Sequence, residues 1–394
     1  MTNDAFILAG VRTPIGSLGG VLSTVPATEL GARCIKGVLT KAKVPADEVD
    51  EIIMGNVVGA GLGQNPARQA GIKGGLPVSV GAMTINKVCG SGLKAVMLAS
   101  QSIRLGYSQI VVAGGMENMS LAPYLLPQAR QGYRMGNGVL VDSMIHDGLW
   151  DVYGNKHMGT YGDQCAAKYK FTRAAQDDFA VRSYTRARKA IAEGIFDDEI
   201  VPVEIKGKKG AELVSEDEEP ARFNEDKLRA LRPAFGSDGT VTAGNASSIN
   251  DGAAALIVVS DGRCASLRLK PVARIVGAAT FSCEPEWFTT APIGAIKRLL
   301  DKVNWTADSV DLFEINEAFS AVTMAAETEL ELPPNKVNIY GGAVALGHPI
   351  GASGARILVT LLNGLKKTNG KRGIASLCIG GGEAVALAVE LMNA

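Results

Sequence analysis

Short apolar runs alternate along the chain with longer segments in which apolar residues recur at helical spacing. Runs such as residues 5–10, 109–113 and 374–378 are too short for buried helices. Glycine lies at or just after the end of these runs, which is typical of buried strands that lead into turns. Alternation of such strands with helices predicts βα units on a mainly parallel sheet that is covered on both faces. We therefore expect an α/β protein.

The same order of predicted elements occurs twice. Residues 28–57 and 292–319 both read as an amphipathic helix, an Asp-containing turn and an apolar strand. Two further matches follow in the same order, VCGSGLKAV (88–96) with IGASGARIL (350–358) and SQIVVAGGMEN (108–118) with GIASLCIGGGEA (373–384). The repeat predicts two homologous α/β halves, and five alternating layers of helix and sheet is one packing that suits them.

A segment of different character separates the two halves. It contains a helical pattern at residues 173–193, with Thr172 as its predicted N-cap and Gly194 at its end. A charged tract follows at residues 206–232, which we expect to be mainly solvated surface. We predict an N-terminal core half at 1–119, completed by about residues 246–270, a loop domain at 120–245 and a C-terminal core half at 271–394.

Composition excludes several classes of protein. Lysine plus arginine and aspartate plus glutamate are 40 each. The net charge therefore gives no indication of nucleic-acid binding. The first apolar run has no basic region before it and is too short for a signal peptide or a membrane span. The six cysteines and three histidines show no metal-ligand spacing. We expect free thiols, no bound metal and a cytoplasmic protein.

One cysteine lies where a nucleophile would be expected. Cys89 follows an apolar run and precedes Gly90 and a helical pattern. The N-terminus of a helix is expected to lower the pKa of a nearby thiol and to favour the thiolate. A lone cysteine is more often a small buried hydrophobic residue, and the local pattern leaves this alternative open.

Three other candidates lie in the second half. His348, between Gly347 and Pro349, is either a base or a turn residue. Cys378 ends an apolar strand before three glycines whose N–H groups are suited to binding an oxyanion, although strand cysteines are usually core residues. Asn316 follows another strand and is by itself more typical of a turn or cap.

The repeat places these candidates near one another. Its alignment pairs Cys89 with Gly351 and Gly114 with Gly380. The two thiols would then arise from corresponding loops at the strand ends of two related halves. We expect Cys89 and Cys378 to face one crevice, with Asn316 beside them.

Several motifs together resemble the thiolase family, most closely its short-chain biosynthetic members. They include NKVCGSGLKA, AGGMENMS, HMG, RPAF, GTVTAGNAS, INEAFS, GGAVALGHPIGASGAR and CIGGGEA, and the match runs nearly from end to end. The resemblance implies two homologous βα halves in a five-layered α-β-α-β-α arrangement with an inserted loop domain. It also implies a homo-oligomer, either a dimer or a tetramer, and a role in fatty acid metabolism.

The resemblance implies a reversible Claisen condensation of two acetyl-CoA molecules to acetoacetyl-CoA and CoA. Cys89 would take the acetyl group, His348 would activate it, and Cys378 would be the acid/base for the second acetyl-CoA. One oxyanion hole would use His348 and a water held by Asn316, and the other the N–H groups of Cys89 and Gly380. CoA is a substrate and product here, so no separate cofactor is expected.

The family also implies which residues contact CoA and the acyl group. We expect these to be Leu149, His157, Met158, Arg222, Phe235, Ala243, Ser247, Phe288, Ala318 and Phe319. Three positions depart from the family pattern. Ser248 replaces a usual Gly, Glu383 with Ala384 replaces the commoner Met-Gly, and Phe288 stands where short-chain members often have Met.

Three other functions are considered. A β-ketoacyl synthase also pairs a cysteine with His but uses a second His or Asn, where this chain has Cys378. A degradative thiolase with a broader chain-length range would share the same catalytic set, and the HMG motif argues against it. A non-catalytic CoA-ester-binding scaffold would be expected to lose part of the set Cys89, Asn316, His348 and Cys378.

Overall fold

A ten-stranded mixed sheet and the helices on its faces form the core of the described chain. The protein is seen here as a computed structural model that describes residues 4–207 and 210–392. The strands are β1 (Ala5–Arg12), β2 (Gly16–Ser17), β3 (Glu51–Gly55), β4 (Gly81–Ile85), β5 (Ile110–Asn118), β6 (Tyr124–Leu125), β7 (Val141–Asp142), β8 (Trp150–Asp151), β9 (Lys156–His157), β10 (Val203–Gly207), β11 (Gly210–Val214), β12 (Asn250–Ser260), β13 (Ala273–Ser282), β14 (Leu312–Ile315), β15 (Arg372–Ile379) and β16 (Glu383–Leu391). The α-helices are α1 (Ala27–Ala42), α2 (Pro66–Lys73), α3 (Ser91–Arg104), α4 (Met158–Tyr169), α5 (Arg173–Ala192), α6 (Glu225–Arg229), α7 (Asp261–Ser266), α8 (Ala291–Val303), α9 (Ser320–Glu329), α10 (Ala343–Leu346) and α11 (Ser353–Thr368).

The sheet contains the same strand order twice. Its first half runs β4-β3-β5-β12-β1 and its second half β14-β15-β16-β13. The repeat matches β3 with β14 and β5 with β15, and a parallel bridge from Phe313 to Val337 stands where β4 stands in the first half. β1 joins the two halves through only two residue pairs, Phe6 with Arg274 and Ile7 with Ala273. The predicted duplication of α/β halves is thus confirmed.

Strand register corrects one detail of that repeat. Met54 pairs with Gly114 on β5, and Ile315 pairs with Ser376 on β15. Because Met54 and Ile315 are equivalent in the repeat, the counterpart of Gly114 is Ser376, and the predicted pairing of Gly114 with Gly380 is wrong. A run of glycines aligned the two segments a few residues out of register.

The expectation of a mainly parallel sheet is also wrong. Only the pairs β3/β4, β3/β5 and β14/β15 are parallel within the described residues. β12 lies antiparallel to both β5 and β1, and β16 lies antiparallel to both β15 and β13. All residues of β12 are buried. A strand buried on both faces is apolar whichever way it runs, so its sequence does not report its direction.

Five layers are formed by two sheet halves and three groups of helices. α1 and α2 pack on the outer face of the first half, and α8 and α9 on the outer face of the second. α3 and α11 lie between the halves. A Cβ on Gly92 would lie 2.7 Å from Ala355 N, and one on Gly354 would lie 2.4 Å from Leu93 N. Glycine therefore allows the two central helices to touch, and the predicted five-layered fold is confirmed.

The middle segment bears out its predicted helix. α5 begins after Thr172, whose side chain accepts a hydrogen bond from Ala175 N at 3.1 Å. It ends before Gly194, which has a φ of 65°. Caps of this kind stop a helix at the residues that the sequence indicates.

The charged tract is only partly solvated. Asp217 is buried and binds the buried Arg12 guanidinium at 2.7 and 2.9 Å. Glu199 binds Arg12 at 2.6 Å. Through Asp217 the tract therefore anchors the middle segment to β1. This corrects the expectation of solvated surface at Asp217. Lys208 and Lys209 lie outside the described residues.

All six cysteines are free thiols. No helix within residues 4–207 and 210–392 combines the length and the apolar character needed to cross a membrane. The division into a loop domain and two core halves stays a prediction.

Candidate active site

One cavity of about 470 Å³ gathers most of the predicted site residues. Its wall includes Cys89, His348 and Gly380. The ten residues expected to contact substrate also line it, namely Leu149, His157, Met158, Arg222, Phe235, Ala243, Ser247, Phe288, Ala318 and Phe319. Mainly apolar cavities with a few polar groups are suited to small-molecule ligands.

A strained turn presents Cys89 to the cavity. Val88 has a φ of 45°, which is unfavourable for a β-branched residue. Strained backbone conformations of this kind cluster at functional sites. Ser91 fastens this turn, because its hydroxyl accepts from Lys87 N at 2.8 Å and donates to Val88 O at 2.7 Å. α3 begins at Ser91, so Cys89 lies just before its N-terminus as expected.

The predicted lowering of the Cys89 pKa does not prevail, because the net shift is upward. Burial raises the pKa of Cys89 to about 11, and the charge of Glu117 acts in the same direction. Backbone N–H groups of Gly380 and of Cys89 itself lower the pKa but do not overcome burial. At neutral pH the thiol is therefore protonated, and a base is needed to make the thiolate.

His348 is the neutral imidazole on the cavity wall that can accept this proton. Burial lowers its pKa to about 3, and Arg356 adds to the shift, so the imidazole is neutral at pH 7. Its Nδ1 lies 2.6 Å from Ser353 Oγ, which is 3.0 Å from Pro349 O. If the hydroxyl donates to this carbonyl, Nδ1 carries the ring hydrogen and Nε2 has a free lone pair. Nε2 has no hydrogen-bond partner within the described chain.

Backbone contacts fix the position of His348. Its N–H donates to Asn250 Oδ1 at 2.8 Å. The preceding Gly347 has a φ of 101°, and a Cβ there would lie 2.3 Å from the Asn250 side chain. Glycine is thus required for the histidine to approach Asn250.

Asn316 and Cys378 lie behind the cavity rather than on its wall. Cys378 is fully buried among apolar residues that include Met158 and Phe288. Burial raises its pKa well above the usual range, and the charge of Cys89 raises it further. Both polar atoms of the buried Asn316 side chain lack a protein partner in the described residues. Cys89 therefore lines the crevice, and Cys378 lies directly behind its wall, close enough to Cys89 for the two thiols to interact electrostatically.

Comparison with known proteins places this geometry in a family. The chain matches the thiolase N-terminal domain over residues 5–262 and the thiolase C-terminal domain over residues 269–391. The chain belongs to the thiolase family. This confirms the resemblance drawn from the sequence motifs.

Several relatives of this thiolase chain carry one name. It is 53% identical over 389 residues to an acetyl-CoA acetyltransferase of Cupriavidus necator, covering 98% of this chain and 99% of the relative. It is 51% identical to acetyl-CoA acetyltransferase 2 of Arabidopsis thaliana, covering 99% and 97% respectively. The crystal structure of the Bacillus anthracis acetyl-CoA acetyltransferase superposes with a TM-score of 0.97 at 43% identity, covering 99% of both chains.

Aromatic residues of this thiolase chain shape the outer part of the cavity. The rings of His157 and Phe235 stack at 4.6 Å, and Phe235 meets Phe319 edge to face at 6.3 Å. A Cβ on Gly159 would lie 2.1 Å from the Phe235 ring. The glycine of the HMG motif therefore leaves room for this aromatic wall.

One residue that shapes the site, Glu117, was not predicted from the sequence. Glu117 is buried and accepts hydrogen bonds from Val57 N and Gly351 N, each at 2.9 Å. Burial raises its pKa to about 7. It thus connects loops of both halves beside Cys89. The available sequence signal was a glutamate that follows two glycines and a methionine at the end of an apolar run. The burial of Glu117 depends on segments distant in sequence and is not visible in that signal.

Two departures from the family pattern lie on the cavity wall. Ser248 donates from Oγ to Asn250 Oδ1 at 2.9 Å, the same atom that receives the His348 N–H. Phe288 is buried and meets Tyr161 edge to face at 6.1 Å. The third departure, Glu383, does not line the cavity.

Proposed function

We propose that this protein is an acetyl-CoA acetyltransferase that reversibly condenses two acetyl-CoA molecules to acetoacetyl-CoA and CoA. The relatives of that name at about half identity support the activity. The observation that carries the proposal is the arrangement at the cavity wall, where a protonated Cys89 thiol and a neutral His348 imidazole line the same space.

The first half-reaction transfers an acetyl group to Cys89. His348 Nε2 takes the thiol proton, and Sγ forms a bond to the carbonyl carbon of acetyl-CoA. The bond from that carbon to the CoA sulfur breaks, and the CoA thiolate receives a proton from Cys378. The Gly380 N–H, which already points at Cys89, can stabilise negative charge beside it.

The second half-reaction forms the carbon–carbon bond. The Cys378 thiolate removes a proton from the methyl group of a second acetyl-CoA, and the carbanion attacks the acetyl carbon on Cys89. The Cys89 thiolate leaves and recovers its proton from His348. In this proposal, His348 and a water bound to Asn316 stabilise the enolate oxygen of the second acetyl-CoA.

A second candidate is a degradative 3-ketoacyl-CoA thiolase with a broader chain-length range. It is considered because a relative from Staphylococcus aureus, 50% identical, is named a probable acetyl-CoA acyltransferase. Short acyl chains are favoured here because Phe288 and Met158 form an apolar wall beside Cys378. A longer acyl chain would need the space that these side chains fill.

Thiolysis of two substrates tests the activity and its range. The protein is incubated with CoA and either acetoacetyl-CoA or 3-ketooctanoyl-CoA, and loss of the 3-ketoacyl thioester is followed. Cleavage of acetoacetyl-CoA alone is expected. Comparable cleavage of both substrates would indicate the broader thiolase, and cleavage of neither would indicate a non-catalytic scaffold.

We also propose a cytoplasmic homo-oligomer, a dimer or a tetramer, that acts in fatty acid metabolism without a separate cofactor. The edge strand β4 pairs with β3 alone among the described strands, and Met83 on it is 39% exposed. The family resemblance implies that tetramers form through a loop of the middle segment at residues 121–139, which exposes Leu126, Met135 and Val139. Light scattering tests the assembly, and a monomeric mass would refute it.

A further inference from the structure

Two loops meet at the Cys89 side of the cavity. The first comprises residues 86–90 and carries Cys89, and the second comprises residues 379–383 and carries Gly380. A Cβ on Gly90 would lie 2.4 Å from the Ile379 side chain, so the loops are in close contact. The Gly380 N–H faces Cys89 across this contact.

An ion pair connects the outer ends of the same two loops. Lys87 Nζ lies 2.6 Å from Glu383 Oε2, and the two side chains are 21% and 33% exposed. Ser282 Oγ lies 3.3 Å from Glu383 Oε1. Neither Lys87 nor Glu383 lines the cavity.

We propose that Glu383 is a positioning residue that acts through Lys87. The ion pair holds the turn bearing Cys89 against the loop bearing Gly380. It thereby keeps the Gly380 N–H directed at the reacting sulfur. The inference extends the proposed acetyl transfer and depends on it. It also gives a role to a residue that departs from the family pattern.

Both loops have backbone conformations that make such a restraint effective. Val88 is held at a positive φ, and a β-branched residue lowers its conformational energy when it leaves that region. Gly381 and Gly382 have φ values of 92° and 87° and restrict their own chain weakly. A contact between the loops therefore restricts both at once. A displacement of about 1 Å at a reacting group costs up to about 100-fold in rate.

Four variants test the pair, namely Glu383→Gln, Lys87→Met, the double variant, and the exchanged pair K87E/E383K. Each single variant is expected to lower kcat for acetoacetyl-CoA thiolysis by about 3- to 30-fold, with KM within about twofold. The double variant should be no worse than either single one, because they break the same contact. The exchanged pair should recover part of kcat.

A matched control lies on the same strand. Glu390 of β16 pairs with Arg274 at 3.0 Å, far along the strand from Glu383. Glu390 also lies 3.8 Å from Lys371 Nζ and 3.7 Å from Arg372 Nε, so Glu390→Gln removes at least as many ionic contacts as Glu383→Gln and is expected to leave kcat unchanged. Thermal unfolding of every variant separates loss of positioning from loss of folding.

A second readout does not require turnover. In the double variant both charges are absent, so a slower alkylation of Cys89 by iodoacetamide at fixed alkaline pH reports the displaced Gly380 N–H. Unchanged kcat and unchanged alkylation in the folded variants would overturn the positioning role. Failure of the parent protein to cleave acetoacetyl-CoA would instead refute the proposed function, and the alkylation result would still decide the role of the pair.

Discussion

The raised pKa of Cys89 predicts slow reaction of the free enzyme with neutral electrophiles. With a pKa of about 11, about one thiol in 10⁴ is ionised at pH 7. An ordinary free cysteine with a pKa of about 8.5 has about three thiolates per hundred. The thiolate population is thus about 300-fold smaller than in an unperturbed thiol.

Greater basicity offsets part of that loss. The nucleophilicity of a thiolate rises with its pKa, and a difference of about 2.5 units raises it about tenfold or slightly more. Alkylation of Cys89 at pH 7 should therefore be about 20-fold slower than that of a free cysteine. The rate should rise about tenfold per pH unit up to about pH 10, because only the thiolate reacts.

Peptide mass spectrometry after timed exposure to iodoacetamide measures this rate at each pH. It separates Cys89 from Cys34, Cys165 and Cys264, which are buried. A rate that levels off below about pH 8.5 would refute the reasoning, because it would show that Cys89 is a stabilised thiolate. Alkylation of a small free peptide under the same conditions is the reference.

Three other predictions concern the cavity, acid stability and a helix cap. Phe288→Ala should raise cleavage of 3-ketooctanoyl-CoA relative to acetoacetyl-CoA and cost about 3–5 kcal/mol in urea unfolding; an unchanged ratio would remove Phe288 as the chain-length barrier. His348 resists protonation when folded, with a pKa of about 3 against 6.5 unfolded, so its contribution is complete above pH 6.5 and is lost as pH falls. His348→Gln should therefore lose about 2.5 kcal/mol less stability than the parent between pH 7 and about pH 4.5, and equal losses would contradict this. Thr172→Ala should cost about 1 kcal/mol without changing kcat, whereas Thr172→Ser should retain the cap and most of the stability.

Local patterns predicted the elements of this fold better than their arrangement. The cap at Thr172 and the stop at Gly194 depend on residues next to each other in sequence, and both were found. The direction of β12 depends instead on which strands lie beside it, and its continuous apolar sequence is compatible with either direction. The repeat partner of Gly114 likewise depends on strand register, because the glycine-rich sequence around it can be aligned in more than one way.

In the active site, the residue identities were predicted from the sequence, whereas their burial and pKa values were not. Residue type and the family resemblance predicted Cys89 and His348, which both line the cavity. The sign of the pKa shift at Cys89 was missed because a helix terminus is visible in sequence, whereas burial comes from segments far along the chain. The same distant packing places Cys378 behind the cavity wall, where its residue type gave no indication of depth.

The central claim is that Cys89 carries the acetyl group, and the most direct measurement is the mass of the protein after acetyl-CoA alone. Rapid acid quenching followed by intact mass and peptide mapping should find one acetyl group, located on Cys89. Addition of CoA should then remove it and regenerate acetyl-CoA. An acetyl group that resides on another residue, or no acetyl-enzyme despite thiolysis of acetoacetyl-CoA, would contradict the mechanism.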